Sequence, residues 1–185
     1  TGGEPLLRPG LADLVRRISS LGLEVALTTN GSLLRDQAVN LREAGLSRVT
    51  VSLDALDPNI HSVMTDSAIP VEDVLDGIDA AREAGLSPVK VNCVVQRGVN
   101  ESEIEKLITH FRGTGVVVRF IEYMDVGRTN GWQLGQIVPS EKILSHLKTI
   151  FDLVPLESEN PSEVAVRWVH SDGSGEIGFI SSVSE

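Results

Sequence analysis

The chain has 185 residues, of which 41% are hydrophobic and 23% charged, and a formal net charge of −10. This is the make-up of one ordinary globular domain with a single large core. The acidic balance argues against broad nucleic-acid binding, which needs a basic face. No apolar run approaches the roughly eighteen residues that span a membrane, and no signal peptide is present, so a cytoplasmic location is expected. Cys93 is the only cysteine. That excludes an internal disulfide and any zinc or iron–sulfur site built on a cysteine pair, and its place between Val91 and Val94 reads as an inert core thiol. His61, His110, His146 and His170 are scattered, with no two at metal-ligand spacing, and read as non-ligands.

The first segment, Thr1-Gly2-Gly3-Glu4-Pro5, has the character of a strand end. A Gly-Gly pair there lets backbone amides approach a ligand with no Cβ between. Because the chain opens on such a segment without an initiator Met, truncation is the expected explanation. A first helix is marked by the stripe Leu11, Leu14, Val15, Ile18 and Leu21, with Pro9-Gly10 before it and Gly22 after it. Val25-Ala26-Leu27 reads as a short buried strand running into the turn signal Thr28-Thr29-Asn30-Gly31.

An internal repeat follows. Arg42-Glu-Ala-Gly-Leu-Ser47 recurs letter for letter as Arg82-Glu-Ala-Gly-Leu-Ser87, and each copy leads into a strand, 49–52 and 89–92. The unit is a helix closed by a Gly C-cap, a tight turn and a buried parallel strand. Gly22-Leu23 and Gly115-Val116 open two further strands in the same way. Helix and strand alternating on such a period give right-handed βα units and a parallel α/β barrel whose site lies at the C-terminal mouth of its strands. A helix is predicted over 71–84, another capped by Asn100 with Ile104, Leu107 and Ile108 inward, and a strand over 116–121. After Met124 the character changes to a polar loop over 125–136, a helix over 140–150 and a hairpin of 164–169 with 176–181. The expected organisation is a barrel core over 1–125 and an appendage over 126–185 packed on it, with no linker that would make the appendage independent.

Strand periodicity places Lys90 and Asn92 on one side, and likewise Thr50, Ser52 and Asp54. Lys90, flanked by valines, is costly to bury unless it meets an anion or an internal carboxylate such as Asp54. Arg119, between Val118 and Phe120, poses the same choice, and Arg suits bidentate carboxylate or phosphate contacts. Thr28, Thr29 and Asn30 offer polar groups at a strand end or serve only as turn formers. Met124 either stacks on a base or fills the core. Glu4 either fixes an ammonium group or caps the helix that follows.

Together these segments resemble the radical S-adenosylmethionine superfamily, and within it the GTP 3′,8-cyclases that open molybdenum-cofactor biosynthesis. The matching stretches are Thr1-Gly-Gly-Glu-Pro-Leu-Leu-Arg8, Leu27-Thr-Thr-Asn-Gly31, Val51-Ser-Leu-Asp-Ala55, Val89-Lys-Val-Asn92 and Arg119-Phe-Ile-Glu-Tyr-Met-Asp125. Asn130-Gly-Trp132 and Gly178-Phe-Ile-Ser-Ser-Val-Ser184 also match, all in order along the chain. The resemblance implies a partial (βα)6 TIM-like barrel of parallel strands with a C-terminal helix and β-hairpin. It implies S-adenosylmethionine contacts at Gly2, Gly3, Glu4, Ser52, Asn92 and Met124, and GTP contacts at Thr28, Lys90 and Arg119. The reaction it implies starts with an electron from a reduced [4Fe–4S] cluster. S-adenosylmethionine is cleaved, a hydrogen is taken from the GTP ribose, and C8 of guanine is joined to C3′.

Two [4Fe–4S] clusters belong to that family, one held by a Cys-x-x-x-Cys-x-x-Cys loop upstream of the first segment and one by three cysteines beyond the last. Neither set is in this chain, so the 185 residues alone are expected to be inactive. An electron donor and the downstream cyclic pyranopterin monophosphate synthase are implied partners, and exposed barrel edges leave a homodimer open. Alternative readings are a radical enzyme with another substrate, a non-catalytic nucleotide-binding domain, and an ordinary phosphate-binding barrel, which would leave the glycine pair and Met124 unexplained.

Overall fold

The computed structural model describes residues 3–124, 134–157 and 165–181. Four parallel strands, β1 (Val25–Thr29), β2 (Leu46–Ser52), β3 (Val89–Val95) and β4 (Val117–Glu122), lie in chain order. Beyond β4 come β7 (Glu176–Ile180), parallel to it, then β6 (Val166–His170) and β5 (Leu153–Leu156), both antiparallel to their neighbours. Strands β5, β6 and β7, all beyond residue 126, thus belong to the same sheet as the first four. The helices are α1 (Leu11–Ser19), α2 (Leu34–Glu43), α3 (Pro58–Thr65), α4 (Val71–Glu83), α5 (Ile104–Phe111) and α6 (Ser140–Leu147). The result is an α/β fold with a mostly parallel sheet, a partial TIM-like barrel.

The period of two divides the sheet into a helix-covered face and a polar inner face. Val49, Val51, Val89, Val91, Cys93, Val95, Val118 and Phe120 are buried under the helices with Leu34, Leu41, Ile78 and Leu107. Cys93 is the core thiol its flanking valines predict, and burial holds its pKa well above the ordinary value.

The repeated hexapeptides behave as the pattern predicts. Gly45 and Gly85 take positive φ just after α2 and α4, and the copies lie side by side, the Ser87 N–H donating to the Ser47 carbonyl at 3.0 Å. A close approach of α4 to the turn after β1 requires glycine twice. A Cβ on Gly77 would stand 2.3 Å from the Gly31 carbonyl oxygen, and Gly31 itself has φ +83° with Val51 packed against it.

Several boundaries differ from the sequence reading. The strand at 25 runs through Thr28 and Thr29, and α6 stops at Leu147. Asn100 does not cap a helix with its side chain. It is fully buried, its Oδ1 accepts from the Gln96 N–H, and its Nδ2 donates to the carbonyls of Asp54 and Val94. A buried amide with backbone partners on two strands satisfies more polar groups than a cap would. The sequence pattern carries no expectation of strand β5 or of helix α3. β5 contains Pro155, which only an edge strand tolerates. α3 has a clear start signal: Asp57 accepts from the Asn59 and Ile60 N–H groups, and Pro58 takes the first helical position.

Candidate functional site

Two rows of polar side chains cross the inner face. Thr28, Thr50 and Lys90 stand in register across β1, β2 and β3. One step nearer the strand ends, Ser52, Asn92, Arg119 and Gly178 stand in register across β2, β3, β4 and β7. Arg119 joins the rows: its Nε donates to Asn92 Oδ1 at 2.9 Å and an Nη to Thr50 Oγ1 at 3.4 Å. Gly178 makes room for it, since a Cβ there would lie 3.0 Å from Arg119 Cγ. Next in the same row, Arg167 forms a two-pronged pair with Glu176, at 2.7 and 3.0 Å. The floor therefore concentrates cationic groups, although the chain as a whole is acidic.

At the C-terminal ends of the strands two cavities open. The smaller, about 250 Å³, is lined by Asn30, Ser52, His61, Thr65, Ser67 and residues of the α3–α4 turn. His61 is buried, its Nδ1 has no hydrogen-bond partner among the described residues, and desolvation lowers its pKa. The larger, about 890 Å³, lies between α3, through Val63 and Met64, and the end of β4, through Ile121, Tyr123 and Met124. Asp54, Asp66 and Glu122 are its acidic wall residues. Burial pushes the Asp54 carboxyl up to about 6 against the opposing hydrogen bond from the Val94 N–H. Glu122 also caps α6, accepting from the Ser140 N–H at 2.7 Å.

The placement of the predicted residues is mixed. Thr28, Lys90, Ser52, Asn92 and Arg119 share the inner face in two adjacent rows. Ser52 lines the smaller cavity and Met124 the larger, while Gly3 and Lys90 line neither. Gly3 is exposed, with open space where a Cβ would point. Gly2 lies outside the described residues, as does the Asn130-Gly-Trp132 stretch. Glu4 takes the capping role: Oε1 accepts from the Leu6 N–H and the Thr29 hydroxyl, and Oε2 from the Asn30 N–H. It thereby ties the glycine segment to the end of β1. Asp54 faces Val94, four residues along β3 from Lys90, so the internal pair considered for Lys90 does not form with it. Sequence reasoning missed the α3 wall of the larger cavity, for which the Asp57-Pro58 start was the available signal.

No group of three or more His, Cys, Asp or Glu that could hold a metal ion occurs among the described residues. With one buried thiol, this chain supplies no ligand set for an iron–sulfur cluster.

Comparison with known proteins agrees with this geometry. The Radical SAM superfamily matches residues 1–111, and the Molybdenum Cofactor Synthesis C family matches residues 116–185. A GTP 3′,8-cyclase of Xanthomonas axonopodis pv. citri is 51% identical over all of this chain and 56% of its own length. One of Acidothermus cellulolyticus is 48% identical over all of this chain and 52% of its own length. The chain spans about half the length of the curated relatives it matches. Among solved structures, a domain of pyruvate-formate lyase-activating enzyme from Bacteroides vulgatus superposes with a TM-score of 0.62 at 25% identity, covering 81% of this chain and 89% of that one. Streptococcus suis SuiB bound to S-adenosylmethionine gives 0.61 at 16% identity, covering 80% and 34% respectively. A parallel sheet with a polar inner face, opening at its strand ends and matched over residues 1–111, makes this chain a member of the radical SAM superfamily.

Proposed function

We propose that the chain is the central part of a GTP 3′,8-cyclase, with residues 1–125 as the barrel core and 126–185 as the start of a C-terminal region. The observation that carries the reading is the pair of registered rows, Thr28–Thr50–Lys90 and Ser52–Asn92–Arg119, below cavities at the strand ends. A cationic floor suits the phosphates of a nucleotide, and Arg119 is already oriented by Asn92 and Thr50. The neighbouring cavity, walled by apolar and thioether side chains with acidic groups at its rim, suits a flat base attached to a cation.

On this reading, GTP lies over Thr28, Lys90 and Arg119. S-adenosylmethionine lies along Gly2, Gly3, Glu4, Ser52 and Asn92, with its adenosine toward Met124. When bound, S-adenosylmethionine supplies hydrogen-abstracting radical chemistry. The chain's own residues hold the nucleotide and the adenosyl sulfonium side by side and keep water from the space between them. An iron–sulfur cluster does not fit the residues of this chain, so its ligands must come from outside these 185 residues. An electron donor, a downstream cyclic pyranopterin monophosphate synthase and a homodimeric assembly are part of the same proposal.

The test is anaerobic assay of the protein at its full encoded length for 5′-deoxyadenosine release with and without GTP. GTP-stimulated release is expected, and Lys90→Ala or Arg119→Ala should weaken GTP binding by about tenfold or more, the loss of one charged hydrogen-bond partner. Release that is indifferent to GTP would show another substrate.

A further inference from the structure

The larger cavity has a polar end that no role above accounts for. Asp54 follows β2 and contributes a carboxyl to a cavity whose other walls include Val63, Met64, Val94, Ile121 and Ile180. Oδ1 is fixed by the Val94 N–H at 2.7 Å. The backbone is fixed as well, because buried Asn100 donates through Nδ2 to the carbonyls of both Asp54 and Val94, at 2.9 and 2.8 Å. Oδ2 has no hydrogen-bond partner among the described residues. The carboxyl is thus held rigidly by its neighbours while one oxygen is left for whatever enters.

The surroundings restrict what that can be. Among the described residues no lysine or arginine lines the cavity, and none of them pairs with the Asp54 carboxyl. Burial raises the Asp54 carboxyl to about 6, so near neutral pH it is chiefly ionised and can accept hydrogen bonds but not donate them. Thioether, aromatic and branched aliphatic walls favour a flat, weakly hydrated ring. An N–H group on the edge of that ring is the complement a bare carboxylate oxygen selects, as acidic side chains do with the amino groups of bases.

We propose that Asp54 is a specificity-determining residue that accepts a hydrogen bond from the exocyclic amino group of a 6-aminopurine seated between α3 and the end of β4. The inference rests on the reading that this cavity takes the adenosine portion of S-adenosylmethionine, and adds the residue that distinguishes adenine from a 6-oxopurine.

S-adenosyl-L-homocysteine and S-inosyl-L-homocysteine differ at that position, carrying an amino group in one and a keto oxygen in the other. Their dissociation constants are measured by calorimetry on the protein at its full encoded length, alongside Asp54→Asn. The Asn carbonyl can keep the Val94 hydrogen bond while its NH2 replaces Oδ2, turning an acceptor into a donor. Wild type should prefer the amino ligand by about tenfold or more, and Asp54→Asn should bring the ratio to within about threefold or reverse it. A ratio that Asp54→Asn leaves unchanged would refute the role of Asp54 while leaving the adenosine reading in place. Equal binding of both ligands by wild type would do the same without the variant. Binding of neither ligand would remove the adenosine reading itself and the proposal with it.

Discussion

Replacing Asp54 by Asn should alter the pH dependence of folding by an amount the structure sets. The carboxyl is raised from its ordinary 3.8 to about 6, chiefly by burial. Between those values the folded protein keeps a proton that the unfolded chain has released. The native state therefore binds more protons there, and stability falls as pH rises. Below the unfolded value both states are protonated, and above about pH 6 both are ionised, so the loss is complete near pH 7. The shift corresponds to about 3 kcal/mol. Asp54→Asn keeps an acceptor for the Val94 N–H and removes the titration. Urea unfolding of both proteins from pH 3.5 to 7.5, read by far-ultraviolet circular dichroism, should show the wild type losing about 3 kcal/mol relative to the variant, all of it between about pH 4 and 7. Other groups titrate equally in the two proteins and cancel in the difference. Curves that stay parallel to within about 1 kcal/mol would mean that Asp54 is solvated as an ordinary carboxylate and gives the larger cavity no desolvated polar end.

Three further substitutions probe the scaffold and the floor. Gly77→Ala places a methyl group against the Gly31 carbonyl and should lower the melting temperature by roughly 5 °C or more, whereas an unchanged value would show that α4 can slide. Glu103→Ala removes the buried carboxylate that accepts from the Leu56 and Asp57 N–H groups and from Lys106; a loss of about 2–4 kcal/mol in urea unfolding is expected, and one below about 1 kcal/mol would mean that those amides reach water. Gly178→Val crowds Arg119 and should weaken GTP binding by about tenfold and S-adenosylmethionine binding less, through Asn92, so equal losses for both ligands would indicate general damage to the sheet.

The alternation of helix and strand was legible because each level of the sequence repeats it. The hexapeptide at 42–47 and 82–87 carries helix end, glycine turn and strand start together, and the structure places both copies side by side. Lys90, Asn92 and Arg119 could be assigned to one face by periodicity alone. What could not be read was anything set by which strands are neighbours. The link from Arg119 to Asn92 and Thr50 depends on the register of β4 against β3 and of β3 against β2, which no local pattern encodes. Asn100 illustrates the same limit: locally it is a good helix cap, but its amide faces two carbonyls brought to it by the fold, and those prevailed. β5 was lost because its proline reads as a strand breaker until the strand is known to lie at an edge.

A net charge of −10 describes the surface of this protein and misdescribes its interior face. Lys90 and Arg119 stand on the inner face of the sheet, whereas Asp54, Asp66 and Glu122 line the cavity at its mouth. Such a division places opposite fields a few residues apart along β2 and β3, so one opening can offer cations to a polyphosphate and carboxylates to a cationic or amino-bearing partner. Polar side chains held by one another need no reorganisation when a ligand arrives, and Arg119, with Asn92 and Thr50 fixing its guanidinium, has that property before any phosphate is present. The distinction between floor and mouth, rather than the overall charge, is therefore what a ligand meets. On the proposed reading, substitutions of the cations Lys90 and Arg119 should therefore weaken GTP binding more than S-adenosylmethionine binding, and substitutions at the mouth the reverse.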